Sequence, residues 1–196
     1  MNIIELKRKE YQDYELVFEY ETDEHYAVIV SKTDIGYKLE LKREKLKETL
    51  KKRFVENLFQ RYLARPSVYA IEEDGKPAAI IEVDREFWNN RMKITDLVVL
   101  PGYRRKGYGK ALVDKAKEIA KKESFRALFL DTHTCNTKAI DFYLAQGFDF
   151  CGIDTSFYSN TDVKRKEVWI ELAYLFDDER SMEWNYETHK PNLLPK

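Results

Sequence analysis

Asp96-Leu97-Val98-Val99-Leu100-Pro101-Gly102-Tyr103-Arg104-Arg105-Lys106-Gly107-Tyr108-Gly109-Lys110-Ala111-Leu112 is the stretch on which the fold turns. Its apolar start reads as a strand, ended by Pro101-Gly102. Two glycines follow three cations, and Leu112, Ala116, Ile119 and Ala120 then set a helical spacing that runs to Lys122. Glycine lets a backbone adopt unusual dihedrals and approach a ligand closely. The first turn of a helix leaves amide N–H groups without acceptors, and its macrodipole adds partial positive charge. Strand, loop and helix together therefore make a seat for an anion, phosphate above all. Arg104, Arg105 and Lys106 add full charges beside it. The loop lacks the Lys-Ser/Thr ending of a nucleoside-triphosphate loop and the three-glycine spacing of a dinucleotide fingerprint. Taken alone it is equally a basic surface loop.

Outward from this stretch the pattern alternates between strands and helices. Upstream, residues 68–72 and 78–83 flank Glu73-Asp74-Gly75-Lys76, whose Asp-Gly pair signals a hairpin, and a further strand covers 92–99. Downstream, residues 127–130 form a short apolar run of buried-strand type. Asn136 is placed to cap a helix reaching Ala145, which Gln146-Gly147 ends. Residues 148–153 and 168–176 read as closing strands. In the first third, 15–20, 26–30 and 36–41 read as strands. Leu46, Leu50, Phe54, Leu58 and Tyr62 recur every four residues, which predicts an amphipathic helix over 44–63 stopped by Arg65-Pro66. The expectation is an α/β domain around a mixed sheet.

The 196 residues are 43% hydrophobic and 14% aromatic, enough for one sizeable core. One domain is therefore expected over 1–196, with an N-terminal region, 1–65, of unassigned role and a short tail from 177 to 196. With 34 basic against 35 acidic side chains the net charge is −1. That balance removes the electrostatic case for nucleic-acid binding. Cys135 and Cys151 form neither a disulfide framework nor a zinc pattern. No apolar run has the length of a signal peptide or a membrane span, so a cytoplasmic protein without membrane contact is expected.

The stretch from Asp96 to Leu112 resembles the acetyl-CoA-binding motif of the GNAT (Gcn5-related N-acetyltransferase) superfamily, in which Arg/Gln-x-x-Gly-x-Gly/Ala follows a strand. A second block is similar too: Asn136-Thr-Lys-Ala139-Ile-Asp-Phe142-Tyr143-Leu-Ala-Gln-Gly147-Phe148 matches Asn-x-x-Ala-x-x-Phe-Tyr-x-x-x-Gly-Phe. Gly152-Ile-Asp154-Thr155-Ser-Phe-Tyr158, with a tryptophan-containing last strand, resembles the streptothricin acetyltransferase branch, as does Trp88-Asn89. The resemblance implies a GNAT fold, with a mixed, mostly antiparallel central sheet flanked by helices. It also implies acetyl transfer from acetyl-CoA to a primary amine.

On that reading the pyrophosphate rests on Arg104, Arg105, Lys106, Gly107, Tyr108, Gly109 and Lys110. The pantetheine arm pairs with the backbone of Leu97, Val98 and Val99, and Asn136 either contacts that arm or caps its helix. The amine attacks directly once a base has taken its proton. Tyr143 is the candidate acid for the departing thiolate; its alternative is a core aromatic, the role expected of Phe142. Asp96 is the candidate base, with a structural carboxylate as the equal alternative, and Glu82 and Asp84 compete for the role. Glu82, Asp154 and Tyr158 are the candidate acceptor contacts. Glu19, Glu21, Asp23 and Glu24 would suit a cationic acceptor, or are simply solvated. His133 and Cys135 are too few for a metal site, and Cys151 is expected to be buried. The leading acceptor is a cationic small molecule such as a streptothricin-type antibiotic. A protein lysine or N-terminus, or a non-catalytic acyl-CoA-binding module, are the rivals, and a homodimer is one arrangement open to the chain.

Overall fold

Asp74 and Gly75 take φ of 52° and 72°, so the tight turn read from the sequence forms and joins β4 (Ser67–Glu73) to β5 (Lys76–Glu86). A computed structural model describes residues 1–176, 183–185 and 190–192. Two compact units emerge: Met1–Val17 with Val55–Leu130 and Ala173–Lys196, and Phe18–Phe54 with Asp131–Leu172.

In the first unit β1 (Ile3–Leu6) precedes the short helix α1 (Arg8–Tyr11), and β6 (Arg91–Val99) leads to α2 (Tyr108–Lys122) and then β7 (Ala127–His133). The order across the sheet is β1, β4, β5, β6, β7, antiparallel except for the parallel step from β6 to β7. β5 is central and reads as a continuous apolar run rather than an alternation. Ala78, Ala79, Ile80, Ile81 and Val83 are all buried, as a strand covered on both faces requires. α2 packs on β4, β5 and β6 through Leu112, Val113, Ala116, Ile119 and Ala120, the stripe that its spacing predicted. Lys121 and Lys122 lie in its last turn, where cations suit the helix dipole.

In the second unit most of β2 (Glu15–Thr33) pairs with most of β3 (Gly36–Asn57) as a long two-stranded ribbon. The expected strands at 15–20 and 26–30 are one continuous strand. The helix expected over 44–63 is not formed; most of that stretch belongs to β3. A spacing of four is a multiple of two as well as close to 3.6, so Leu46, Leu50 and Leu58 also share one face of a strand. Burial decides between the two. Leu46, Leu50, Lys52 and Glu56 are half-buried, while Lys45, Lys47, Thr49, Lys51, Arg53 and Val55 are exposed. The ribbon is laced by ion pairs: Arg53 to Glu19 (2.9 Å), Lys51 to Glu21 (2.8 Å) and Arg43 to Glu24 (2.7 Å). Thr49 donates to Asp23 at 2.5 Å. The acidic run of β2 is thus matched by its own neighbouring strand.

The second unit also holds the end of β7, α3 (Thr137–Leu144), β8 (Asp149–Asp154), the short α4 (Asp162–Arg165) and the start of β9 (Trp169–Leu175). β9 lies between β7 and β8. Gly147, at φ 83°, turns the chain out of α3 as expected. Within the tail, β10 (Glu183–Asn185) pairs antiparallel with β11 (Lys190–Asn192), and the rest of 177–196 lies outside the described residues. Among the described residues no helix is long and apolar enough to cross a membrane.

Candidate functional site

The loop that carries the glycines leaves the start of a helix uncapped. After a 3-10 turn at Pro101–Tyr103, Arg105 takes φ 67° and Gly107 φ 83° with ψ 2°. Gly107 is the N-cap of α2, and no side chain caps that end. The helix begins with Ala111 N–H donating to the Gly107 carbonyl at 3.0 Å, so the amides just before it have no helical acceptor. A Cβ built on Gly107 would meet no atom within 4 Å, so the space beside these amides is open. Arg104, Arg105 and Lys106 are exposed around it. Arg104 Nε donates to the Val99 carbonyl at 3.1 Å, and Lys106 lies 5.0 Å from the Tyr103 ring centre. Tyr108, by contrast, is buried and its hydroxyl donates to Glu73; it can offer the cradle only its amide. Lys110 is paired with Asp114 at 2.5 Å.

β6 supplies a free strand edge beside this loop. It pairs with β5 as far as Val99, but its parallel register with β7 covers only Arg91, Met92 and Lys93. Leu97, Val98 and Val99 therefore have no partner strand on that side among the described residues. The β5–β6 register slips between Glu82 and Val83, which oppose Asp96 and Ile94. Thr95 is the extra residue of a β-bulge.

At the edge of the slip two carboxyls lie directly across from each other. Glu82 is fully buried and Asp96 is 9% exposed. Glu82 accepts the Phe59 N–H on Oε1 at 2.8 Å and the Thr95 hydroxyl on Oε2 at 3.1 Å. A hydrogen bond joins it to Asp96. Burial, then the charges of Glu82 and Glu56, push Asp96 up to about 7, against the Thr95 hydrogen bond. Burial raises Glu82 as well. Glu82 thus has no surface for the acceptor contact expected of it, because desolvation has been met by partners within the fold. Asp84, the third carboxylate of the group, accepts the amides of Ala64 and Arg65 at 3.0 and 2.6 Å, which ties the 58–65 loop to β5.

In the second unit α3 departs from the expectation at Phe142, which is not the core aromatic of the pair. Tyr143 is 7% exposed and packs edge-on against Phe148, ring centres 5.4 Å apart, whereas Phe142 is only half-buried. Two consecutive helical residues cannot share a direction, and the sequence did not tell which one faced inward. Asn136 stands at the N-cap, but its side chain does not cap; Nδ2 donates to the Thr132 hydroxyl at 3.3 Å. Asp154 accepts both the amide and the hydroxyl of Ser156. Tyr158 is half exposed with its ring 4.9 Å from His133, and Phe157 stacks on Trp169 at 4.9 Å. Cys135 is buried against Tyr20 (3.6 Å), whereas Cys151 is exposed, contrary to expectation, its thiol 3.9 Å from Glu171. It sits on the outward side of β8. No group of three or more metal-ligating side chains occurs among the described residues.

The pattern reading missed Phe59 and Thr95. Only the bulge brings Thr95 onto Glu82, and no sequence signal points to Phe59.

The model of the GNAT acetyltransferase family matches residues 37–148, more than half of the chain. The streptothricin acetyltransferase of Streptomyces lavendulae is 37% identical over 92 residues, which are 47% of this chain and 49% of that protein. The match thus spans about half the length of that curated relative. Among solved structures, nourseothricin acetyltransferase superposes with a TM-score of 0.66 at 25% identity, covering 89% of this chain and 97% of that one. A Bacillus anthracis str. Ames protein solved in complex with acetyl coenzyme A superposes with a TM-score of 0.67, covering 90% and 97%. At 23% identity that likeness speaks for the fold alone.

Proposed function

The chain belongs to the GNAT family of acetyltransferases, and we propose that it transfers an acetyl group from acetyl-CoA to a primary amine of a cationic small molecule, a streptothricin-type antibiotic being the leading acceptor. The observation that carries this reading is the uncapped start of α2 beside Gly107, at the end of a strand whose edge is open from Ile94 to Val99.

The residues present fit the donor. The amides from Arg105 to Gly109 would hold the pyrophosphate, with Arg104 and Lys106 neutralising its charge. The backbone of Leu97 to Val99 would pair with the pantetheine arm, and an amide there would stabilise the oxyanion as the amine attacks the thioester carbonyl. An alkylamine of pKa about 10.4 is charged at neutral pH, so a base must first take its proton. Asp96, held near neutrality by burial and by Glu82, has the strength for that step. The departing thiolate would take a proton from the Tyr143 hydroxyl. The acceptor class rests on the likeness to the streptothricin and nourseothricin enzymes, and Asp154 and Tyr158 are its proposed contacts.

CoA release from acetyl-CoA with streptothricin, spermidine and a lysine peptide as acceptors tests this reading. Turnover on streptothricin is expected. Turnover on the peptide alone would move the acceptor to proteins. Tight acetyl-CoA binding with no turnover on any amine, indifferent to Tyr143→Phe, would leave only a binding module.

A further inference from the structure

Of the buried carboxyls among the described residues, Glu82 is the one that solvent does not reach at all, and it pairs across the strands with the proposed base. We propose that Glu82 and Asp96 act as one unit, in which Glu82, locked by the Phe59 amide and the Thr95 hydroxyl, is a positioning residue that shares the proton Asp96 takes from the acceptor amine. This rests on the reading of Asp96 as the base.

The geometry is built to hold Glu82 still. Each of its oxygens has its own donor, one from the backbone and one from the bulge residue. The Phe59 amide is itself fixed. Phe59 sits at φ 58°, its carbonyl accepts Arg8 Nη2 at 3.1 Å, and the Arg8 guanidinium lies 5.5 Å from its ring centre. Two fixed donors favour the ionised form of Glu82 and leave Asp96 as the member that gains and loses the proton. The other charges facing the pair are anionic as well: Glu56 of β3 acts on Asp96, and Asp84 of β5 on Glu82.

With both carboxylates ionised, two like charges meet in a dry site and the pair is avid for one proton. The amine's N–H⁺ bond breaks, the proton passes to Asp96, and the freed lone pair attacks the thioester carbonyl. The proton then lies in the hydrogen bond between Asp96 and Glu82, so the pair goes from two negative charges to one, and it returns to solvent after product leaves.

The test separates the pair from the acetyl transfer. Carbon-13 NMR of aspartate-labelled protein, without any substrate, follows the Asp96 carboxyl, identified by its loss in Asp96→Asn. A midpoint near neutrality is expected. Glu82→Gln removes the neighbouring charge and should lower it by about one pH unit or more. Thr95→Val removes a donor to the charged form and should raise it. Should Glu82→Gln fail to fold, the Thr95→Val shift decides alone. A midpoint unmoved in whichever variants fold overturns the pair. The same shifts are expected in the acidic limb of kcat/KM with acetyl-CoA and streptothricin. An NMR midpoint that moves while the limb stays put overturns the proton-taking step and leaves acetyl transfer standing.

Discussion

Replacing Gly107 by alanine separates two effects that a loss of activity would blur. Gly107 sits at φ 83°, where an L-residue pays about 1–2 kcal/mol. A Cβ there meets nothing within 4 Å, so no steric term is added in the free protein. For a chain of this size about 1 kcal/mol moves Tm by roughly 2–4 °C, so a fall of roughly 2–8 °C is expected. That strain is present with and without ligand and cancels from the affinity. Any change in acetyl-CoA binding therefore reports only what the new methyl group meets in the complex. Gly75 supplies the control: φ 72°, again nothing within 4 Å, but in the β4–β5 turn. Gly75→Ala should lose similar stability and no affinity. Gly107→Ala should lose at least about tenfold in Kd, equivalent to about 1.4 kcal/mol. Gly107→Glu adds repulsion of about 1–3 kcal/mol for unit charges ~5 Å apart and should abolish binding. Calorimetry with acetyl-CoA and thermal unfolding of the three variants check this. Wild-type affinity in both Gly107 variants, or an equal loss in Gly75→Ala, would show that the pyrophosphate lies elsewhere.

Tyr143→Phe should lower kcat by about a hundredfold or more, as removal of a general acid does, with KM for acetyl-CoA nearly unchanged; steady-state kinetics decide, and an equal fall in kcat and rise in KM would make the residue structural. Asp96 gives a stability signature independent of turnover. Its folded pKa of about 7 lies above its unfolded value of ~3.9, so the folded chain binds the proton more tightly. Stability therefore drains away as pH climbs between those two values, at a rate of at most about 1.4 kcal/mol per pH unit. Asp96→Asn should gain Tm relative to the native chain at pH 8 and not at pH 4, and a pH-independent difference would contradict the burial argument. Leu112→Ala, at a fully buried position of α2, should cost about 2–5 kcal/mol in denaturant unfolding; less than 1 kcal/mol would mean that α2 does not carry the core.

The elements that the sequence shows clearly are those in which local chemistry and burial agree. Asp74-Gly75 demands its turn whatever surrounds it, and the stripe from Leu112 to Ala120 has no reading as a strand. The first third was different, because Leu46, Leu50, Phe54 and Leu58 fit two periods at once and the polar residues between them suit either. What resolved it was the cross-strand partners, Glu19, Glu21 and Asp23 for Arg53, Lys51 and Thr49, which lie about 26 to 34 residues away in the chain. In the site, Gly107 and its cations were legible because they form one contiguous loop. Asp96 was legible only as a position. Its hydrogen bond to Glu82, and Glu82's bonds to Phe59 and Thr95, depend on register, which no local spacing encodes.

The bulge at Thr95 gives this site one residue more than its ladder needs. Deleting Thr95 would leave Val83 opposite Ile94 and Glu82 opposite Asp96, so the two carboxyls would keep their register in an unbroken ladder. Two things would go: the hydroxyl on Glu82 Oε2 and the extra local twist that a bulge gives its strand. Thr95→Val removes the first and keeps the second. A one-residue deletion set beside it therefore weighs strand curvature apart from the hydrogen bond.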